Sequence, residues 1–168
     1  MEKENIVILF DIDHTIFDTE EYYASNFKNF SLHSEVVEVL QELSNFGTIG
    51  IFSEGERSLQ ELKLLQTKVN EFFKQDYIHI VERKKDSMRD VISKYKDKKL
   101  IFVDDRLDML QYAKQSNPNI TVIWLQRGYY ADKQNAILGF SPDARATNLK
   151  EAGKIIKLML AKNKTDKY

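Results

Sequence analysis

Ile6-Val7-Ile8-Leu9-Phe10-Asp11-Ile12-Asp13-His14-Thr15 decides how the rest of the chain is read. Five apolar residues run without a polar interruption, as expected of a strand covered on both faces of a parallel sheet. Polarity then switches abruptly at Asp11. In an open parallel sheet, ligands bind beyond the carboxyl ends of the strands, so Asp11 and Asp13 fall where chemistry is expected.

Similar short apolar runs recur at residues 48–52, 77–81, 100–103 and 120–125. Segments with helical spacing separate them. Val36, Val37, Leu40 and Leu43 form one apolar face, and Leu59, Leu62, Leu65 and Val69 the next. Met88, Val91, Ile92 and Tyr95 form a third, and Leu107, Leu110, Tyr112 and Ala113 a fourth. Asn148 with Glu151 three residues on forms a capping box for a last helix striped by Leu149, Ala152, Ile156 and Met159. Strands alternating with helices predict an α/β domain with a mostly parallel sheet covered on both sides. Two stretches break the alternation. One is 20–34, where Tyr23, Phe27 and Phe30 are spaced to share a helical face. The other is 127–142, a long connection carrying Tyr129 and Tyr130.

At 168 residues the chain is expected to be a single domain, 1–168. Hydrophobic residues make up 42% and charged residues 30%, which excludes a disordered chain. With 25 Lys+Arg against 26 Asp+Glu, the basic excess of a general nucleic-acid binder is missing. Zero cysteines exclude disulfides, Cys-ligated zinc and thiol nucleophiles. The start is acidic, the apolar run at Ile6 is too short for a signal core or a membrane span, and the tail 162–168 is polar. A cytoplasmic protein without membrane partners is expected.

The strand ends gather further acids. The second run ends at Ser53-Glu54-Gly55 and the fourth at Asp104-Asp105; Arg83-Lys84-Lys85-Asp86 follows the third. Carboxylates converging on one point repel unless a cation sits among them, and hard oxygen donors without His or Cys select Mg²⁺. Mg²⁺, a nearby lysine and a hydroxyl describe a phosphoryl site.

IVILFDIDHT (6–15), IGIFSEG (49–55) with Ser53, the Lys84-Lys85-Asp86 cluster and LIFVDDR (100–106) resemble, in order, the four motifs of the haloacid dehalogenase-like (HAD) superfamily. VIWLQRGYYA followed by SPDA is similar to its closing segment. The resemblance implies a three-layer Rossmann-like domain with five parallel strands in the order 5-4-1-2-3. It implies that Asp11 attacks phosphorus to form an aspartyl-phosphate, and that Asp13 protonates the leaving group and then activates water. Ser53 and Lys85 would bind the phosphoryl oxygens, and Mg²⁺ would be held by Asp11, the carbonyl of Asp13 and Asp105. Asp104, Thr15, Lys84 and Asp108 are further candidates. Sequence leaves open which lysine enters the site; the family's Lys-Asp pair favours Lys85. The Asp two residues after the nucleophile points to phosphatases and phosphomutases rather than dehalogenases. Gln60 and Lys63, following Ser53-x-Gly55, resemble a subgroup pattern.

Asp11 and Ser53 are 42 residues apart, and one helix at about 35–45 fills part of that span. Only about 18–34 remains for a small lid, which favours hydrolysis over mutase chemistry and leaves room for a small or a macromolecular phosphorylated substrate, such as a phosphoprotein or a nucleic-acid end. Two rival readings are a receiver-like phospho-accepting domain and a HAD-like scaffold without turnover. Ser53 with Glu56 also reads as a helix-capping pair.

Overall fold

The computed structural model describes residues 5–165; the acidic start at 1–4 and the end of the polar tail at 166–168 lie outside the described residues. Six strands, β1 (Ile6–Phe10), β2 (Thr48–Glu54), β3 (Ile78–Val81), β4 (Lys99–Asp104), β5 (Thr121–Leu125) and β6 (Ala144–Ala146), form one sheet in the order β3-β2-β1-β4-β5-β6. All five neighbouring pairs are parallel. The expected five-strand order is therefore present within the sheet, but the sheet has six strands. β6 escapes the reading because it is three residues long, includes Arg145 and is aligned by pairing with Ile123–Leu125 rather than by its own hydrophobicity.

The central position of β1 explains its unbroken apolar run. Ile6, Ile8 and Phe10 face a core built with α2 (Val36–Leu43), α3 (Arg57–Gln66) and α7 (Leu149–Thr165). Val7 and Leu9 face the opposite core, built with α4 (Lys84–Ser93) and α5 (Leu107–Ser116). Helices on both faces satisfy the burial that each parallel strand demands.

The Asn148 half of the expected cap of α7 is present, with Asn148 Oδ1 accepting the Glu151 N–H at 2.9 Å, but Glu151 returns to the N–H of Thr147, one residue earlier than expected, at 2.8 Å. The cap of α3 is different from the reading. Glu56, not Ser53, accepts the N–H groups of Ser58 and Leu59, and Ser53 lies wholly buried inside β2.

Segment 18–34 begins with α1 (Thr19–Ala24), capped by Asp18. The helix stops early because Asn26 and Phe27 adopt positive φ, so Tyr23, Phe27 and Phe30 do not share one helical face. They gather instead around the buried ring of Tyr22, with Phe30 5.0 Å and Phe27 5.4 Å from it, centroid to centroid. A bridge between Phe17 and Leu32 closes the segment's base. The connection 127–142 contains a short helix, α6 (Gly128–Lys133). No helix among the described residues is long and apolar enough to cross a membrane.

Candidate active site

Asp11 follows β1 directly, and its N–H donates to the Val103 carbonyl at 3.0 Å, continuing the ladder past the strand end. Because Phe10 pairs with Val103, Asp11 arrives beside Asp104 and Asp105. Carboxylate oxygens of these three aspartates all lie within 4.8 Å of one another, and all three residues are buried.

Lys84, the first residue of α4, enters this cluster. Its Nζ donates to Asp11 Oδ1 and Asp104 Oδ2, each at 2.6 Å, and lies 5.9 Å and 5.5 Å from the ring centroids of Phe52 and Phe102. Its N–H donates to Glu54 at 2.7 Å, fixing the start of the helix. Burial works against the ammonium charge, but Asp104 and Asp11 outweigh it and hold the Lys84 pKa above its ordinary value. The family-based preference for Lys85 is corrected here. One residue further on, the helix turns Lys85 outward, half exposed and 3.8 Å from Asp108. Asp108 likewise stays outside the cluster, where it pairs with Arg106.

Asp104 uses one oxygen for Lys84 and the other for the Arg106 N–H at 2.8 Å. Asp105 is held through its backbone: its carbonyl accepts from Trp124 Nε1 at 2.9 Å and from Gln134 Nε2 at 2.8 Å. That leaves Asp105 Oδ2 buried without a partner. Burial raises the Asp105 carboxyl to about 9, with Asp104 and Asp11 adding to the effect. Burial likewise raises Asp11, to about 6, against the pull of Lys84. An oxygen-only set with an orphaned carboxylate oxygen, and pKa values raised by burial and added to by mutual repulsion, fits a hard divalent cation. Asp11 and Asp105 have the freer oxygens for it, since both oxygens of Asp104 are engaged.

Asp13 sits on the other wall and is held by three donors. Lys63 Nζ lies 2.7 Å from its Oδ1, Gln60 Nε2 2.8 Å from its Oδ2, and Thr19 donates to Oδ1 at 2.9 Å. Burial alone would raise its pKa, but Lys63 and the hydrogen bonds reverse the shift and hold it below the usual carboxylate range. Lys63 is itself buried, 5.1 Å from the ring centroid of Phe17. The i, i+3 spacing of Gln60 and Lys63 was visible in the sequence, but their shared target was not.

Thr15 and Ser53 are fully buried, and neither hydroxyl has a partner. A cavity of about 180 Å³ is lined by Asp11, Asp13, Lys84 and Asp105 together with Tyr23, Glu54, Arg106 and Tyr130. His14 also lines it, in a left-handed conformation (φ 56°), with a pKa lowered by burial. Gly128 fits against this ring: a Cβ there would stand 2.3 Å from His14 Nδ1.

No protein-family model and no curated protein matches the sequence. Solved structures do match in shape. A Burkholderia xenovorans protein named as a haloacid dehalogenase-like hydrolase superposes with a TM-score of 0.80 at 16% identity, covering 94% of this chain and 99% of its own. The chain has the haloacid dehalogenase-like fold. Two further HAD-like structures were solved with magnesium. One is the Bacillus subtilis HAD-hydrolase YfnB (TM-score 0.67, 11% identity, 92% of this chain and 99% of that one). The other is the D,D-heptose 1,7-bisphosphate phosphatase of B. bronchiseptica, complexed with magnesium and phosphate (TM-score 0.68, 15% identity, 92% and 99%). The HAD-like sheet thus places this chain's buried aspartate cluster at the carboxyl ends of β1 and β4.

Proposed function

We propose that the protein is a Mg²⁺-dependent phosphate-monoester hydrolase acting through an aspartyl-phosphate. The observation that carries this reading is the Lys84 ammonium between Asp11 and Asp104, beside an Asp105 oxygen that is buried and unpaired. The magnesium- and phosphate-bound state of the heptose-bisphosphate phosphatase on the same fold supports it.

Asp11, Asp105 and the carbonyl of Asp13 would hold Mg²⁺, with Asp104 orienting Lys84. The cation would neutralise developing charge on the phosphoryl oxygens. Lys84, already between two carboxylates, binds a phosphoryl oxygen with little reorganisation, and the orphaned hydroxyl of Ser53 is a further donor. One Asp11 oxygen bonds to phosphorus while the bond from phosphorus to the ester oxygen breaks, and Asp13 passes a proton to that oxygen. Water then attacks the same phosphorus, Asp13 takes its proton, and Asp11 is released with inorganic phosphate. Because Lys63, Gln60 and Thr19 keep resting Asp13 ionised, the first proton arrives with the substrate, whose second pKa is about 6. Residues 18–34 act as a small lid, bringing Tyr23 to the cavity. The substrate is a phosphorylated small molecule or a phosphorylated group on a macromolecule.

The test is phosphate release from a panel of phosphate esters, with and without Mg²⁺, comparing wild type with Asp11→Asn. Metal-dependent release abolished in the variant supports the reading. A folded, Mg²⁺-loaded protein that releases nothing from any ester overturns it.

A further inference from the structure

Two charged residues that line the cavity, Arg106 and Glu54, are held by one another and by their neighbours. Arg106 donates to Glu54 at 3.1 Å through one terminal nitrogen, and to Asp108 through its Nε (3.4 Å) and its other terminal nitrogen (3.1 Å). The second oxygen of Glu54 accepts the Lys84 N–H. Thr19 donates to Asp13 and accepts the His14 N–H. These contacts fix where Arg106, Glu54 and Thr19 point, so a leaving group rich in hydroxyls would have to fit donors and acceptors oriented by their existing partners.

Tyr23, from α1, is 59% exposed, and Tyr130, from α6, is 40% exposed, although both line the same cavity as the acids. The Arg106 guanidinium lies 5.4 Å from the Tyr130 ring centroid, and His14 meets that ring edge-on at 6.4 Å. The two tyrosines come from segments far apart in sequence and converge on one opening. Tyr23 also stacks edge-to-face on Phe27 at 5.6 Å, which steadies its ring without covering it.

Resting on the phosphatase reading above, we propose that the preferred substrate is a phosphate monoester whose leaving group carries a planar aromatic ring, bound against Tyr23 and Tyr130. Such a ring gains contact with the exposed aromatic surface of the two tyrosines. The Arg106–Tyr130 pair extends the same surface.

The test uses benzyl phosphate and cyclohexylmethyl phosphate, both esters of primary alcohols of similar size, one aromatic and one not. With Mg²⁺ present, wild type is expected to prefer benzyl phosphate by about tenfold in kcat/KM, mostly through KM. Tyr130→Leu and Tyr23→Leu keep apolar bulk but remove the π face, and each is expected to reduce the preference. Equal kcat/KM for the two esters, or a preference unchanged in both variants, overturns this inference and leaves the hydrolase reading standing. No Mg²⁺-dependent release from either ester, or from any other, overturns both.

Discussion

Lys84 Nζ stands 2.6 Å from Asp11 Oδ1, with the two side chains 1% and 8% exposed. Removing one partner of a buried pair leaves an uncompensated charge, at a cost of about 3–5 kcal/mol. Lys84→Met, which strands Asp104 as well, is expected to lower stability by about that amount and to abolish Mg²⁺-dependent phosphate release. Lys85→Met, on the exposed side of α4, is expected to stay within about 0.5 kcal/mol of wild type. Thermal melts and phosphate release on both variants distinguish the two lysines.

Mg²⁺ is expected to stabilise the fold, and more so as pH rises. The Asp11 and Asp105 carboxyls, raised to about 6 and about 9, keep protons in the native state that the unfolded chain loses near pH 4. Without metal, the contribution of these two carboxyls to stability therefore declines as pH climbs from about 4 towards 9. Mg²⁺ competes with those protons, so its effect grows across the same window. At a hundred times its dissociation constant it adds about 2.7 kcal/mol. Melts with Mg²⁺ and with a chelator, at pH 5.5 and pH 8, measure this; a larger Mg²⁺ shift at the lower pH contradicts it.

His79 provides an independent acid limit. Burial, with some help from Lys94, pushes its pKa down to about 4, and its Nε2 lies 2.5 Å from the Tyr95 hydroxyl. The unfolded chain takes up this proton below about 6.5 while the native state resists until about 4. The contribution of His79 to stability is therefore expected to fall through that window as pH drops, opposite in sign to that of the two raised carboxyls. With the shift discounted for residual solvent screening, the loss is about 1–2 kcal/mol. His79→Gln should remove this contribution in pH-resolved denaturant melts.

Lys63→Met tests the three-donor hold on Asp13. Loss of the 2.7 Å contact frees the carboxylate to rotate and raises its pKa, so turnover is expected to fall by about tenfold or more. KM should change little, because Lys84 and the aspartate cluster are untouched. A variant with wild-type kcat would show that Gln60 and Thr19 suffice.

The parts of this architecture legible in the sequence are those written as short local patterns. Ile6–Phe10 announces a central strand because both faces are apolar, and Asp11, Asp13, Asp104 and Asp105 announce a site because each follows such a run. What stayed hidden depends on tertiary geometry. Lys84 and Lys85 differ by one helical position, and only the first faces the acids. Glu54, Arg106 and Tyr130 come from three separate segments, and their meeting at the cavity has no local signature. Ser53 and Glu56 fit a capping pattern that Glu56 fills by itself.

The middle strand of the sheet is also the first to be synthesised. Val7 pairs with Thr48 on one side and Leu100 on the other, so β1 stays without a partner until β2 emerges and is flanked on both sides only after β4. At about 5–20 residues per second, roughly 5–20 s of translation separate Val7 from Leu100. During that interval the apolar IVILF segment lacks its second strand partner, and the cluster of Asp11, Asp104 and Asp105 cannot assemble until it ends.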